Sequence, residues 1–474
     1  LRRARLTRRL RATDHCEEKM NTKKLLAATV AAALCGAASA ERHEVPAVPE
    51  LDHVFVIMME NHGYGQVVGN PNEPYLNGLI ASGKVSYATN YYGVGHPSLT
   101  NYLEVVGGSN FGVRSDKYPN WHNGTCAANL VTGHPVVDNG GGAALAYAND
   151  ALVCPIAGPG TDAETPAMDS YNEVSCGGSP VVCNVLADID GVKAYGAVQN
   201  TVQAQTIAHQ LANAGRTWKT YQESLPLRGA DLVNYSNGTA SHAFNLGTGK
   251  SAIDLSLGAA TNGGVVAAYA VKHNPFAYFA DIQAGSNPAL SLAQTVGFDQ
   301  LFTDLASGNV PAYSFIAPNQ CNDQHGRGNG DAFCAYDPAP DGSQNGLNAA
   351  LIAQGDVMLE RLVTAIKASP SWGEGHNAIV ILWDENDYSG VVPANPNTVP
   401  APLVQNSAVN FPAINQNRVL LTVETSYRHS PNVGSANYYN HFSLLRTIEA
   451  GLGLPCLNHA CDHDTAVMSD LFSR

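Results

Sequence analysis

Two short apolar runs in this chain stop abruptly at carboxylates. His53-Val-Phe-Val-Ile-Met-Met59 is followed by Glu60-Asn61, and Asn377-Ala-Ile-Val-Ile-Leu-Trp383 by Asp384-Glu385-Asn386-Asp387. Continuous β-branched and aromatic runs of this length read as strands buried on both faces. An acidic residue directly after such a strand is costly unless something cationic compensates it. Either cluster alone reads as helix capping or a solvated turn. Two of them in one sheet point to a divalent cation with hard oxygen ligands: Glu60, Asn61, Asp384 and Glu385. The third piece is Gly95-His96-Pro97-Ser98-Leu99-Thr100-Asn101-Tyr102, where Ser98 opens a predicted helix after a glycine-rich turn. Ser98 is there either a helix N-cap, worth about 1 kcal/mol, or an alcohol at the positive end of a helix, where an incoming phosphate is also favoured. A serine hydroxyl is a poor nucleophile unless a base or metal lowers its pKa. The cation would do that.

Other elements must bring these residues together. Periodicity predicts helices over 76–81, 99–106, 206–214, 299–306, 347–368 and 440–452, and further strands over 86–92, 216–223, 312–317 and 419–423. The run 276–282 reads as strand or extended chain. Strands alternating with helices imply an α/β fold: a doubly wound, mostly parallel sheet with helices on both faces. In such a sheet functional groups gather beyond the carboxyl ends of the strands. From about 109 to 192 periodicity fades into Gly, Asn, Pro and four cysteines, an irregular, disulfide-pinned insertion.

The chain has 474 residues, 45% hydrophobic and 14% charged, which excludes a disordered chain or a small disulfide-stapled module. Its net charge is -14, and the first forty residues hold nine basic and only three acidic side chains, so without them it is −20. So negative a surface repels a polyphosphate backbone and argues against nucleic acid as a partner, though not against a small phosphate ester. Residues 1–19 read as upstream sequence translated from an early start codon. Residues 20–40 read as a signal peptide: Met20-Asn21-Thr22-Lys23-Lys24 is a short basic start, an apolar run covers 25–34, and Ala38-Ser39-Ala40 gives a cleavage site. The run is too short to span a membrane, so the expected product is an exported domain, 41–474, periplasmic or secreted. Its eight cysteines read as disulfides, with nearest-neighbour pairs 126–154, 176–183, 321–334 and 456–461. The tail from Cys456 to His463 lacks the spacing of common zinc modules.

The segments "HVFVIMMEN", "HPSLTNYL", "KHNPF", "PNQCNDQH", "ILWDEND" and "NHFSLLRTIE" occur in the order in which similar segments occur in the phosphoesterase family of acid phosphatases and phospholipases C. That family belongs to the alkaline-phosphatase-like superfamily, and the resemblance runs from His53 to Leu454. It implies Ser98 as a nucleophile that becomes phosphorylated, with Glu60, Asn61, Asp384, Glu385 and Ser98 Oγ as metal ligands. Thr100 stands where the family usually has proline, and Glu385 where it often has aspartate; the latter leaves open whether Glu385 ligates metal or serves as a base. The implied reaction is two in-line displacements, with Asn101 and the Ser98 N–H meeting charge on the phosphate and a histidine protonating the leaving group. His273 and His325 are the candidates, with His96 and His441 behind them. Asn319 and Asp323 would hold or orient the phosphate. An acid phosphatase is the expected activity. A phospholipase C would need an apolar rim for lipid, for which Tyr91, Tyr92, Tyr118 and Trp121 are the nearby aromatics; a non-catalytic binding protein is the alternative of another class. Gly-x-Ser-x-Gly, a phosphate-binding loop ending in Gly-Lys-Ser/Thr, and HExxH are all absent.

Overall fold

In a computed structural model, the described residues are 48–95, 98–113, 116, 135–137, 144–146, 202–223, 269–326, 349–386, 417–427 and 433–472. The expected leader, the insertion beyond Asp116 other than two short strands, and the first three expected disulfides lie largely or wholly outside them. The strands are β1 (His53–Met59), β2 (Ser86–Tyr92), β3 (Pro135–Val137), β4 (Ala144–Ala146), β5 (Trp218–Gln222), β6 (Thr295–Gly297), β7 (Tyr313–Ala317), β8 (Asn377–Trp383), β9 (Arg418–Thr425), β10 (Gly434–Ser435) and β11 (Tyr439–Asn440). Nine of them form one sheet in the order β10-β2-β9-β8-β1-β7-β5-β6, with β11 also paired to β2; β3 and β4 pair separately.

The fold is the expected α/β arrangement, with helices packed around a mostly parallel sheet. Strand β9 is the exception, antiparallel to both β2 and β8. Strands β1, β2, β5, β6, β7 and β8 therefore all deliver their carboxyl ends to one edge, and β9 starts there. The two clean apolar runs are neighbours, and every residue of β8 and all but the first of β1 are buried. Such two-sided burial is what a continuous apolar run requires. The helices Ser98–Gly107 and His441–Gly451 pack on each other, and the long helix Ala349–Ala368 packs on Pro74–Ala81 and Phe298–Ser307.

One element differs from its sequence expectation. The run 276–282 is a 3₁₀ turn, Pro275–Tyr278, followed by a short helix, Ala280–Ala284. Pro275 supplies a pre-set φ at the start of a helical turn, and an apolar run this short carries no period that separates strand from buried helix. The aromatics Tyr91 and Tyr92 are buried, so they form no lipid-facing rim; Tyr118 and Trp121 lie outside the described residues. Cys456 and Cys461 are joined as expected, which leaves the tail's thiols to a loop-closing bridge rather than to a metal. Cys321 is also disulfide-bonded.

Because β8 lies at the centre of the sheet, truncating one of its buried side chains opens a cavity that the flanking strands β1 and β9 resist closing. Leu382→Ala should lower stability by about 2–5 kcal/mol, measured by chemical denaturation; a loss within experimental scatter would mean that β8 is not the core strand described.

Candidate functional site

The parallel register of β1 and β8 pairs Met59 with Trp383, so Glu60-Asn61 and Asp384-Glu385 leave the sheet side by side. Asp384 N donates to Met59 O at 3.0 Å, and Glu60 N to Asp323 O at 2.9 Å. Asn61 takes a left-handed backbone, φ 37°, a conformation that Asn tolerates better than most residues. Its N–H donates to Asp384 Oδ1 (3.2 Å) and its amide Nδ2 to Glu385 Oε1 (3.3 Å).

Ser98 is the first residue of the helix Ser98–Gly107 and is fully buried. Its hydroxyl lies 3.1 Å from Glu60 Oε2, 3.3 Å from Glu385 Oε1 and 3.4 Å from Asn61 Oδ1. Spacings of three and four put Asn101 and Tyr102 on the same helix face as Ser98. The Tyr102 ring stacks on His273, with centroids 5.1 Å apart and planes 8° apart. His273 closes the cluster, with Nε2 3.0 Å from Glu60 Oε1 and Nδ1 3.4 Å from Asp323 Oδ2. His325 sits beside it, ring centroids 6.5 Å apart. The N–H of His325 donates to Asp323 Oδ1 (2.8 Å), and its ring Nδ1 is 2.7 Å from Gly326 O.

Two of the expected phosphate-binding residues are spent on the protein's own chain. Asn101 Oδ1 accepts from the N–H groups of Val94 and Gly95, and its Nδ2 donates to Gly95 O and Glu385 Oε2 (3.1 Å). Asn319 Oδ1 accepts from the N–H groups of Cys321 and Asn322, while its own N–H donates to Glu223. Asp323, through His273, and Asn101, through Glu385, both adjoin the cluster. His441 does not reach it with a free ring: Nε2 is 2.6 Å from Asp384 O and Nδ1 2.8 Å from Tyr91 OH. Burial pushes that ring down to about 4, against the pull of the Asp384 carbonyl, so at neutral pH it is a neutral strut. His96 lies outside the described residues.

Several site residues were not anticipated. His62 is buried directly behind Asn61, and burial pushes its pKa down to about 4. Gln324, at φ 83°, accepts from Trp383 Nε1 at 3.0 Å and donates to Glu73 and to Ile352 O. It thereby ties the loop that carries Asp323 and His325 to the end of β8. Asp116 accepts from Leu99 N–H (3.1 Å) and from Lys272 Nζ (3.2 Å), and both partners of that ion pair are buried. Lys272 lay within a motif already quoted; Asp116, deep in an irregular segment, gave no signal. Gly93 is another: a Cβ there would lie 2.6 Å from Asp384 O, so only glycine lets the end of β2 approach so closely.

The electrostatics follow from crowding. Burial and the Glu60 charge, in that order, hold Asp323, Asp384 and Glu385 well above the usual carboxylate range. Burial would raise Glu60 too, but the His273 ring, with Lys272 and His325, brings it well below that range. Glu60 is thus the member that favours the ionised form, and the other three favour the protonated one. Among the described residues, no three His, Cys, Asp or Glu side chains already form a metal-holding group. The donors around Ser98 Oγ are nevertheless all oxygens, from Glu60, Asn61 and Glu385 with Asp384 one hydrogen bond behind, a chemistry that suits a hard divalent cation.

Residues 71–455 match the Phosphoesterase family, and the chain belongs to it. Family membership makes it a phosphoric ester hydrolase. It is similar to a phosphatidylinositol-3-phosphatase of Mycobacterium tuberculosis, 22% identical over 77% of this chain and 74% of that protein. It is also similar to an acid phosphatase of Aspergillus fumigatus, 23% identical over 57% of this chain but only 36% of that protein. Among solved structures, a protein in the alkaline phosphatase superfamily from Vibrio parahaemolyticus overlaps with TM-score 0.39 at 14% identity, over 94% of this chain and 79% of that one.

Three buried carboxyls with raised pKa values bind protons more tightly in the folded chain than in the unfolded one. Protein stripped of divalent cations should therefore gain stability as pH falls from about 8 to about 6.5, below which the lowered pKa values of His62 and His441 oppose the gain. Glu60, shifted the other way, gives nothing back until the pH drops below its ordinary value of 4.5. Asp384→Asn should flatten this slope in thermal unfolding; an unchanged slope would refute the crowding account.

Proposed function

We propose that this chain is an exported, metal-dependent acid phosphatase that hydrolyses phosphomonoesters through a phosphoserine at Ser98. The observation that carries the reading is the seat of the Ser98 hydroxyl, buried within hydrogen-bond reach of Glu60, Glu385 and Asn61. Two relatives named as phosphatases support a monoester over a diester substrate. Export is supported by the basic, apolar and small-residue pattern of 20–40 and by the Cys456–Cys461 bond.

Glu60, Asn61, Asp384 and Glu385 would hold the cation, with Ser98 Oγ completing the set; when bound, it supplies positive charge that eases ionisation of the hydroxyl and offsets charge on the phosphoryl oxygens. The chain's own residues do the rest. Ser98 Oγ gives its proton to the nearer carboxylate oxygens, Glu60 Oε2 or Glu385 Oε1, and bonds to phosphorus as the bond to the alcohol oxygen breaks. His325 delivers a proton to that leaving oxygen. His273, with a carboxylate at each ring nitrogen, orients Glu60. Water then attacks phosphorus and gives a proton to His325, the Oγ–P bond breaks, and the carboxylate returns the serine proton to Oγ as phosphate leaves.

Turnover of p-nitrophenyl phosphate should vanish with chelator and return with a divalent cation. Ser98→Ala should lose at least about 10³-fold in kcat, and acid-quenched enzyme should carry one phosphoryl group that this variant lacks. Activity surviving in Ser98→Ala would sink the nucleophile assignment, and preference for the phosphorylcholine diester would move the chain to the phospholipase C reading. For the acid, His325→Gln should slow alkyl phosphates far more than p-nitrophenyl phosphate, whose leaving group needs little protonation. Equal slowing of both would reassign the proton to His273.

A further inference from the structure

We propose that Asp116 and Lys272 are a positioning pair for this reaction, locking the helix that carries Ser98 against the turn that carries His273. The inference rests on the phosphoserine reading. Ser98 and His273 are already joined through Glu60, since Oε2 meets the serine hydroxyl and Oε1 meets the imidazole. Asp116 and Lys272 provide a second route between the same two elements. Asp116 Oδ1 accepts from the N–H of Leu99, the residue after Ser98, and Oδ2 accepts from Nζ of Lys272, the residue before His273. The four links close a ring. A ring fixes distance and orientation where a single contact leaves a hinge, and misplacing reacting groups by about 1 Å costs on the order of 100-fold.

Packing alone does not account for this pair. Both side chains are 2% exposed or less, and a buried ion pair costs desolvation that apolar side chains of similar volume would avoid. The Lys272 ammonium also sits where its charge acts on Glu60, Asp323 and Glu385 together. It is a fixed cation serving the same carboxylates that surround the nucleophile. The Asp116 carboxylate completes the arrangement at the positive end of a ten-residue helix, where an anion is stabilised.

The test compares Lys272→Met, Asp116→Asn and the double variant on p-nitrophenyl phosphate, with near-UV circular dichroism to confirm folding and Ser98→Ala in parallel. Each single change should lower kcat about 10- to 100-fold with little movement in KM. The double variant should be about as slow as the slower single one, because either change opens the same ring. Wild-type kcat in the folded single variants, or losses that multiply in the double, would overturn the pairing. Should Lys272→Met not fold, Asp116→Asn decides by the same kcat–KM split, because it keeps an acceptor oxygen for Leu99 while removing the charge. Activity retained in Ser98→Ala would overturn the nucleophile reading itself. Inactive Ser98→Ala beside undiminished pair variants would overturn only the positioning role.

Discussion

Glu60 and Glu385 reach one hydroxyl at the buried edge of the sheet, with Asp384 held to Asn61 and Asp323 to His273 close behind them. Ionised together they would repel one another at close range in a medium that screens poorly. The fold copes by making them unequal. His273 and Lys272 keep Glu60 charged, and that charge in turn holds protons on its neighbours. Crowding of this kind costs the fold stability, a cost that natural proteins concentrate in few places.

A cluster of this kind keeps its shape only if the backbone around it cannot relax. Much of the polar inventory near the site is committed to that purpose. His441 grips the Asp384 carbonyl, and Gln324 fastens the Asp323 loop to Trp383. Asn417 accepts from Asn386 N–H and donates to Gly95 O, while Asn101 braces the turn before Ser98. These contacts reach carbonyls and amides more than the clustered carboxylates and hydroxyl, so they set positions.

This division explains what the sequence disclosed. Glu60, Asn61, Asp384 and Glu385 were legible because a buried strand ending in acid violates a local rule, and Ser98 because a helix start after glycines is a local pattern. The hydrogen bonds that Asn101 and Asn319 make to nearby backbone amides were not legible, because periodicity says nothing of which groups a side-chain amide meets. The reversed direction of β9 was hidden for a similar reason, since alternation and apolarity are blind to chain sense. Lys272, 156 residues from Asp116, and Gln324 bridging to Glu73 across the chain depend on three-dimensional neighbours that no window of sequence contains.

The reversal of β9 has one more effect. Strand β8 ends at the site edge and β9 begins there, with Asn386 and Asn417 bonded at 2.9 Å. The last described residue after β8 and the first before β9 are thus clasped to each other beside the carboxylates. The antiparallel register of β8 and β9 is therefore anchored at the same edge that carries Asp384 and Glu385.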